Sequence, residues 1–135
     1  MRRLEDFTVG ETFAFVHEVD PYRPVYYAAA SGDFNPIHID ATVGRAAGYE
    51  GAILQGMCTF SWLGDACATY FGDPGRVRRI RARFTKPVQV GDVIRFEGRC
   101  AAVNGGTVRV EVSATNQRGE EILKGATAEG SFEEA

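Results

Sequence analysis

The chain predicts an α+β fold in which one long helix is covered by an antiparallel sheet, and three observations carry that reading. Residues 56–71 are apolar almost throughout and lie between glycine-bearing stops. Everything after Gly75 alternates apolar and polar residues with period two, cut by glycine turns. Helices come first and the strands follow as a meander, so the apolar helix is the element available to cover the sheet.

In chain order, Phe7–Gly10 reads as an opening turn and Thr12–Val19 as a first strand. His17 on that strand is expected at a surface or edge, without a catalytic role. Asp20-Pro21 is a helix start, with Asp as cap and Pro at the first helical position. Pro24 allows a later start, since it removes an early helical bond. The helix runs through Val25, Ala28 and Ala29 and stops at Gly32, which can take the left-handed conformation. Asp40 then caps a short helix over Ala41–Ala47, ended by Gly48.

The helix over Gly56–Phe71 presents Met57, Cys58, Phe60, Trp62, Leu63, Ala66, Cys67, Ala68 and Phe71, and so is expected to be buried all round. Asp73-Pro74-Gly75 ends it. Ile80, Ala82 and Phe84 alternate with Arg79, Arg81 and Arg83, and Ile94 and Phe96 with Arg95 and Glu97. Val108, Val110 and Val112 alternate with Arg109, Glu111 and Ser113, and Ala126 and Ala128 lead on to Phe132. Turns are placed at Val90-Gly91-Asp92, Asn104-Gly105-Gly106 and Arg118-Gly119. One apolar face per strand means a sheet solvated on its other side.

A single domain over 1–135 is expected, since no repeat, linker or low-complexity tract divides the chain. The formal charge of −3 argues against general nucleic-acid binding. Cys58, Cys67 and Cys100 are odd in number and lack Cys-x-x-Cys spacing, which suits a reducing cytoplasm and no metal site. Arg2 and Arg3 are followed by Glu5 and Asp6 with no apolar run, so no signal peptide is expected. Met57–Phe71 is short and holds Asp65, so no membrane span is expected.

The chemistry concentrates in Ser31-Gly32-Asp33-Phe34-Asn35-Pro36-Ile37-His38. Pro36 lacks an N–H and pushes Asn35 toward extended geometry, so Asp33 and His38 are expected on a rigid non-helical turn. A carboxylate and an imidazole together can take and deliver a proton near neutral pH. The same residue types also make ordinary turns. Ser31 reads as a helix-end residue, since no Gly-x-Ser-x-Gly elbow surrounds it. Gly56 opens the long helix, whose first N–H groups can bind developing negative charge, or it serves only close packing.

The octapeptide, with Ile39-Asp40, Ala46-Ala47-Gly48-Tyr49 and Ile53-Leu54-Gln55-Gly56-Met57, resembles the signature of the MaoC-like dehydratases, the R-specific enoyl-CoA hydratases or hydratase 2 enzymes. The resemblance implies a hot-dog fold, a long central helix wrapped by an antiparallel sheet, and a homodimer or dimer of dimers. It implies a catalytic dyad of Asp33 and His38 with the Gly56 N–H as oxyanion donor, acting without cofactor or metal on a coenzyme A or acyl carrier protein thioester. Asn35 would support the site locally. Gln55 departs from the pattern, standing where many members have His.

Three further readings stay open. Arg79, Arg81 and Arg83, in a run that also holds Arg76, Arg78 and Lys86, are either a charged outer strand face or a docking site for substrate phosphates. Asp65 on the long helix could instead make the protein a hot-dog acyl thioesterase. The chain could also be the partner subunit of a heterodimeric dehydratase.

Overall fold

The computed structural model describes residues 1–132. A 3-10 turn at Leu4–Asp6 leads into strand β1 (Thr12–Glu18), followed by helices α1 (Arg23–Ser31), α2 (Pro36–Ile39), α3 (Ala41–Ala46) and α4 (Gly56–Phe71). A second 3-10 turn at Pro74–Arg76 opens strands β2 (Val77–Phe84), β3 (Val93–Asn104), β4 (Thr107–Thr115) and β5 (Glu121–Ser131). The strands form one antiparallel sheet in the order β1-β3-β4-β5-β2. β3, β4 and β5 are thus a meander, while β1 and β2 hold the two edges. Asn104 pairs with Thr107 around Gly105 and Gly106, both at positive φ (52° and 75°). That is the geometry a two-residue hairpin of right-handed strands demands.

Alternation along the strands decides which side faces the helix. In β3 and β4, Ile94, Phe96, Cys100, Val108, Val110 and Ala114 are fully buried, whereas Arg95, Glu97, Arg99, Arg109 and Glu111 face solvent. They meet Leu63, Ala66, Cys67 and Phe71 of α4 in one core. This is the helix-covered antiparallel sheet expected from the pattern.

The structure corrects the expectation that α4 is buried all round. Met57, Ser61, Asp65 and Thr69 are not buried, one stripe with a spacing of four. A single sheet covers one side of a helix, and the polar residues at three of those positions mark the uncovered side. Gly72 in the left-handed conformation, not Asp73-Pro74-Gly75, stops α4. α1 starts at Arg23, with Pro24 in its first turn, and Asp20 caps nothing in the helix but accepts from the Tyr22 N–H in the turn before it. At the N-terminus the Arg2 guanidinium lies over the Phe7 and Tyr70 rings (4.0 and 4.8 Å) and bonds Glu11, which also accepts from the Tyr70 hydroxyl. No sequence signal points to that cluster.

Candidate active site

The octapeptide is fixed by its own hydrogen bonds. Gly32 ends α1 at φ 79°. The Ser31 hydroxyl donates to the Tyr27 carbonyl (2.7 Å) and accepts from the Asp33 N–H (3.1 Å), the helix-end role expected of it. Asn35 donates its N–H to Asp33 Oδ1 (3.3 Å), and its own side chain accepts from the Ile37 N–H (3.2 Å). The expectation of a wholly non-helical turn fails here. Pro36 opens the short helix α2, with Asn35 as its cap, so His38 sits on a helical turn. Proline at a first helical position loses no bond, which is why Pro36 starts a helix instead of excluding one.

Asp33 and His38 are brought together. His38 Nε2 lies 3.6 Å from Asp33 Oδ2, with the imidazole 13% exposed and the carboxylate 46%. His38 Nδ1 contacts the Ile53 carbonyl at 2.8 Å. A carbonyl only accepts, so Nδ1 carries the hydrogen and neutral His38 turns a lone pair toward Asp33. Two acceptors facing each other need a proton-bearing group between them. The separation is too long for a direct hydrogen bond and short enough for one water to touch both.

His38 also lines a cavity of about 330 Å³ with Tyr49, Ile53, Leu54, Gly56, Thr59, Phe84 and Val88. The first turn of α4 opens into it. Among the described residues neither Gly56 N–H nor Met57 N–H has a hydrogen-bond acceptor. Two free donors at the positive end of a 16-residue helix are suited to an oxygen that gains negative charge. A Cβ on Gly56 would press on the Phe84 ring at 3.3 Å, so glycine keeps the entrance to this turn open.

The other sequence candidates fall elsewhere. Arg81 and Arg83 line a separate cleft of about 630 Å³ with Phe60, Ile80, Ala82, Lys124 and Gly125, whereas Arg79 is outside that lining. Arg76 pairs with Asp73 and lies over Phe132, Arg78 bonds the Gly75 carbonyl, and Lys86 pairs with Glu120. Asp65 is exposed and lines neither cavity. His17 stacks on Trp62 (4.7 Å, 2° between planes), and burial there holds its imidazole below the usual range. Of the aromatic residues Phe60, Trp62 and Tyr49, Tyr49 alone lines the His38 cavity.

Two buried groups were not anticipated. Gln55, 1% exposed, donates its side-chain amide to the Pro24 carbonyl (2.9 Å) and to the Asp33 carbonyl (3.4 Å). It ties the start of α4 to the start of α1 and to the backbone of Asp33. Thr59, also 1% exposed, has a hydroxyl with no partner. The available sequence signal for Thr59 is a polar residue of α4 that falls off the four-residue spacing of Ser61, Asp65 and Thr69. Among the described residues no group of three or more His, Cys, Asp or Glu side chains converges as metal ligands, and no helix is long and apolar enough to cross a membrane.

Known proteins resemble this chain in sequence and in fold. The sequence profile described as MaoC like domain matches residues 7–122. Over 108 residues the chain is 36% identical to the probable enoyl-CoA hydratase 2 of Dictyostelium discoideum, covering 78% of this chain and 36% of that protein. The chain spans about a third, or less, of the length of such curated relatives. Among solved structures, R-hydratase PhaJ1 from Pseudomonas aeruginosa superposes with a TM-score of 0.88 at 27% identity, covering 98% of this chain and 86% of that one. A chain of the ChsH1-ChsH2 complex from Mycobacterium tuberculosis gives 0.80 at 27% identity, covering 93% and 98%. The chain has the hot-dog fold and belongs to the MaoC-like domain family.

Proposed function

We propose that the protein is a hydro-lyase that reversibly adds water across the double bond of a trans-2-enoyl thioester, giving the (R)-3-hydroxyacyl thioester. The observation that carries this reading is the His38–Asp33 pair, 3.6 Å apart, of which His38 lines the same cavity as Gly56, whose N–H has no acceptor. Water held between Nε2 and Oδ2 attacks the β-carbon and leaves one proton on the pair. A proton from the pair goes to the α-carbon, so one water is added in total. The thioester oxygen, enolate-like during proton transfer, accepts from Gly56 N–H, a contact whose loss costs roughly 3–4 kcal/mol of barrier. Asn35 supports the site by holding the Asp33 side chain and capping α2. Gln55 leaves the backbone donor intact and braces the Asp33 carbonyl.

The name of the relative probable enoyl-CoA hydratase 2 supports an acyl-coenzyme A substrate. An acyl carrier protein thioester carries the same phosphopantetheine arm, and Arg81 and Arg83 with Lys124 offer cations to its phosphates. A homodimer or dimer of dimers in the cytoplasm completes the proposal. The exposed edge strands and the uncovered stripe of α4 give a second copy a surface, and the three buried free thiols suit a reducing compartment. Pairing with a different chain is the alternative assembly, and the structural relative ChsH1-ChsH2 is itself a complex of two differently named chains.

The test is an enoyl-thioester hydration assay across chain lengths. Enoyl absorbance should fall without release of free thiol, and Asp33→Asn or His38→Ala should slow it at least about 100-fold. Thiol release from saturated acyl thioesters, abolished by Asp65→Asn, would replace hydration with the thioesterase reading.

A further inference from the structure

We infer that the Thr59 hydroxyl is a second donor to the thioester oxygen, completing with Gly56 N–H a two-donor oxyanion site. The inference rests on the hydratase reading above and names a residue which that reading does not use. Thr59 is one helical turn beyond Gly56 on α4, and both line the cavity of His38. A threonine inside a helix ordinarily donates its hydroxyl to the carbonyl four residues back. That carbonyl belongs to Gln55, it accepts from the Cys58 N–H, and the Thr59 hydroxyl does not reach it.

Nor does any other group among the described residues satisfy it. Thr59 Oγ1 and Gln55 Oε1 are both buried and both without a partner, so they do not bond each other. Of the other polar side chains in the cavity wall, Thr85 donates to the Glu121 carbonyl and Lys86 to Glu120. Valine would fill the same volume without an unpaired hydroxyl, and burying such a group is unfavourable. A free O–H on a residue of the cavity wall, one helical turn from the free amide of Gly56, is matched by a ligand carbonyl oxygen at that point. Gln55 Oε1 has no hydrogen to give and is not part of the wall.

The experiment compares wild type, Thr59→Val, Thr59→Ser and Asp33→Asn in steady-state hydration of short enoyl-coenzyme A thioesters. It adds melting temperatures and the infrared carbonyl stretch of a bound saturated acyl-coenzyme A. Thr59→Val should lower kcat about 100-fold, the order found when one oxyanion donor is removed, with KM changed by less than about 3-fold. Its melting temperature should be unchanged or higher, and Thr59→Ser should recover most of kcat. The bound carbonyl stretch should move to higher frequency in Thr59→Val and stay at the wild-type position in Thr59→Ser. Unchanged kcat and an unchanged stretch in Thr59→Val overturn the inference. So does a kcat loss with a lowered melting temperature that serine does not restore, since that is packing. A wild type that hydrates no enoyl thioester overturns the hydratase reading, and this inference with it. Activity that Asp33→Asn abolishes and Thr59→Val spares removes this inference alone.

Discussion

Gly44→Ala sets two opposing effects against each other, and the structure decides the sign. Gly44 is buried in α3, where helix propensity alone favours alanine by about 1 kcal/mol. A Cβ at this position, however, lands on the Gly51 carbonyl oxygen, with the Ala52 nitrogen only 3.0 Å away. These are backbone atoms and cannot swing aside as the end of a side chain can. Overpacking of this kind costs about 1–3 kcal/mol. The displaced segment also carries Ile53, whose N–H bonds the Ile37 carbonyl (3.1 Å) and whose carbonyl holds His38 Nδ1 (2.8 Å). Losing or stretching one of these adds about 1 kcal/mol. With the propensity gain subtracted, the variant should be less stable by about 1–3 kcal/mol. Urea unfolding should show a lower midpoint at unchanged slope. Enoyl-thioester hydration by the folded variant should slow by at least about tenfold, because the imidazole loses its brace. A midpoint raised by the propensity amount, with turnover intact, would refute the reasoning.

Three other expectations can be checked independently. Glu120 bonds Lys86, Asn116 and Arg118, which hold its carboxyl down at about 2 against an ordinary 4.5. Its contribution to stability is therefore complete above pH 4.5 and lost as pH falls from there through 2, so Glu120→Gln should flatten the acid limb of a melting-temperature profile. Burial pushes the Cys58 thiol up to about 11 and Cys67 to about 12, so iodoacetamide at about pH 8 should label native protein slowly and speed up only across the urea transition. Rapid native labelling would contradict the buried placement. Arg81→Gln with Arg83→Gln should raise KM for coenzyme A thioesters roughly 5- to 10-fold at similar kcat, while Arg79→Gln should not. An unchanged KM in the double variant would leave these arginines as strand-edge charge alone.

Most of the secondary structure is legible in the sequence because glycine and period-two alternation mark it locally. Gly32 and Gly48 stop or follow helices where expected, and Asn104-Gly105-Gly106 makes the anticipated hairpin. Strand order is not legible, since the pairing of β1 with β3 and of β2 with β5 joins distant segments by register alone. Pro36 misleads because proline both breaks and begins helices, and position within the turn decides between them. The meeting of Asp33 with His38 is foreshadowed by their spacing. The brace from Ile53, the tie from Gln55 and the unpaired hydroxyl of Thr59 are not, because each depends on a contact across the fold.

The edge positions of β1 and β2 also constrain the order in which the chain acquires its shape. Both candidate site segments, around His38 and around Gly56, precede every residue of the meander, yet β1 and β2 find their partners only in β3 and β5. A nascent chain leaving the ribosome would expose β2 with nothing to pair against until β5, which ends at residue 131, is made. Consolidation should therefore run backwards from the β3–β5 hairpins, and the candidate site should be the last to set.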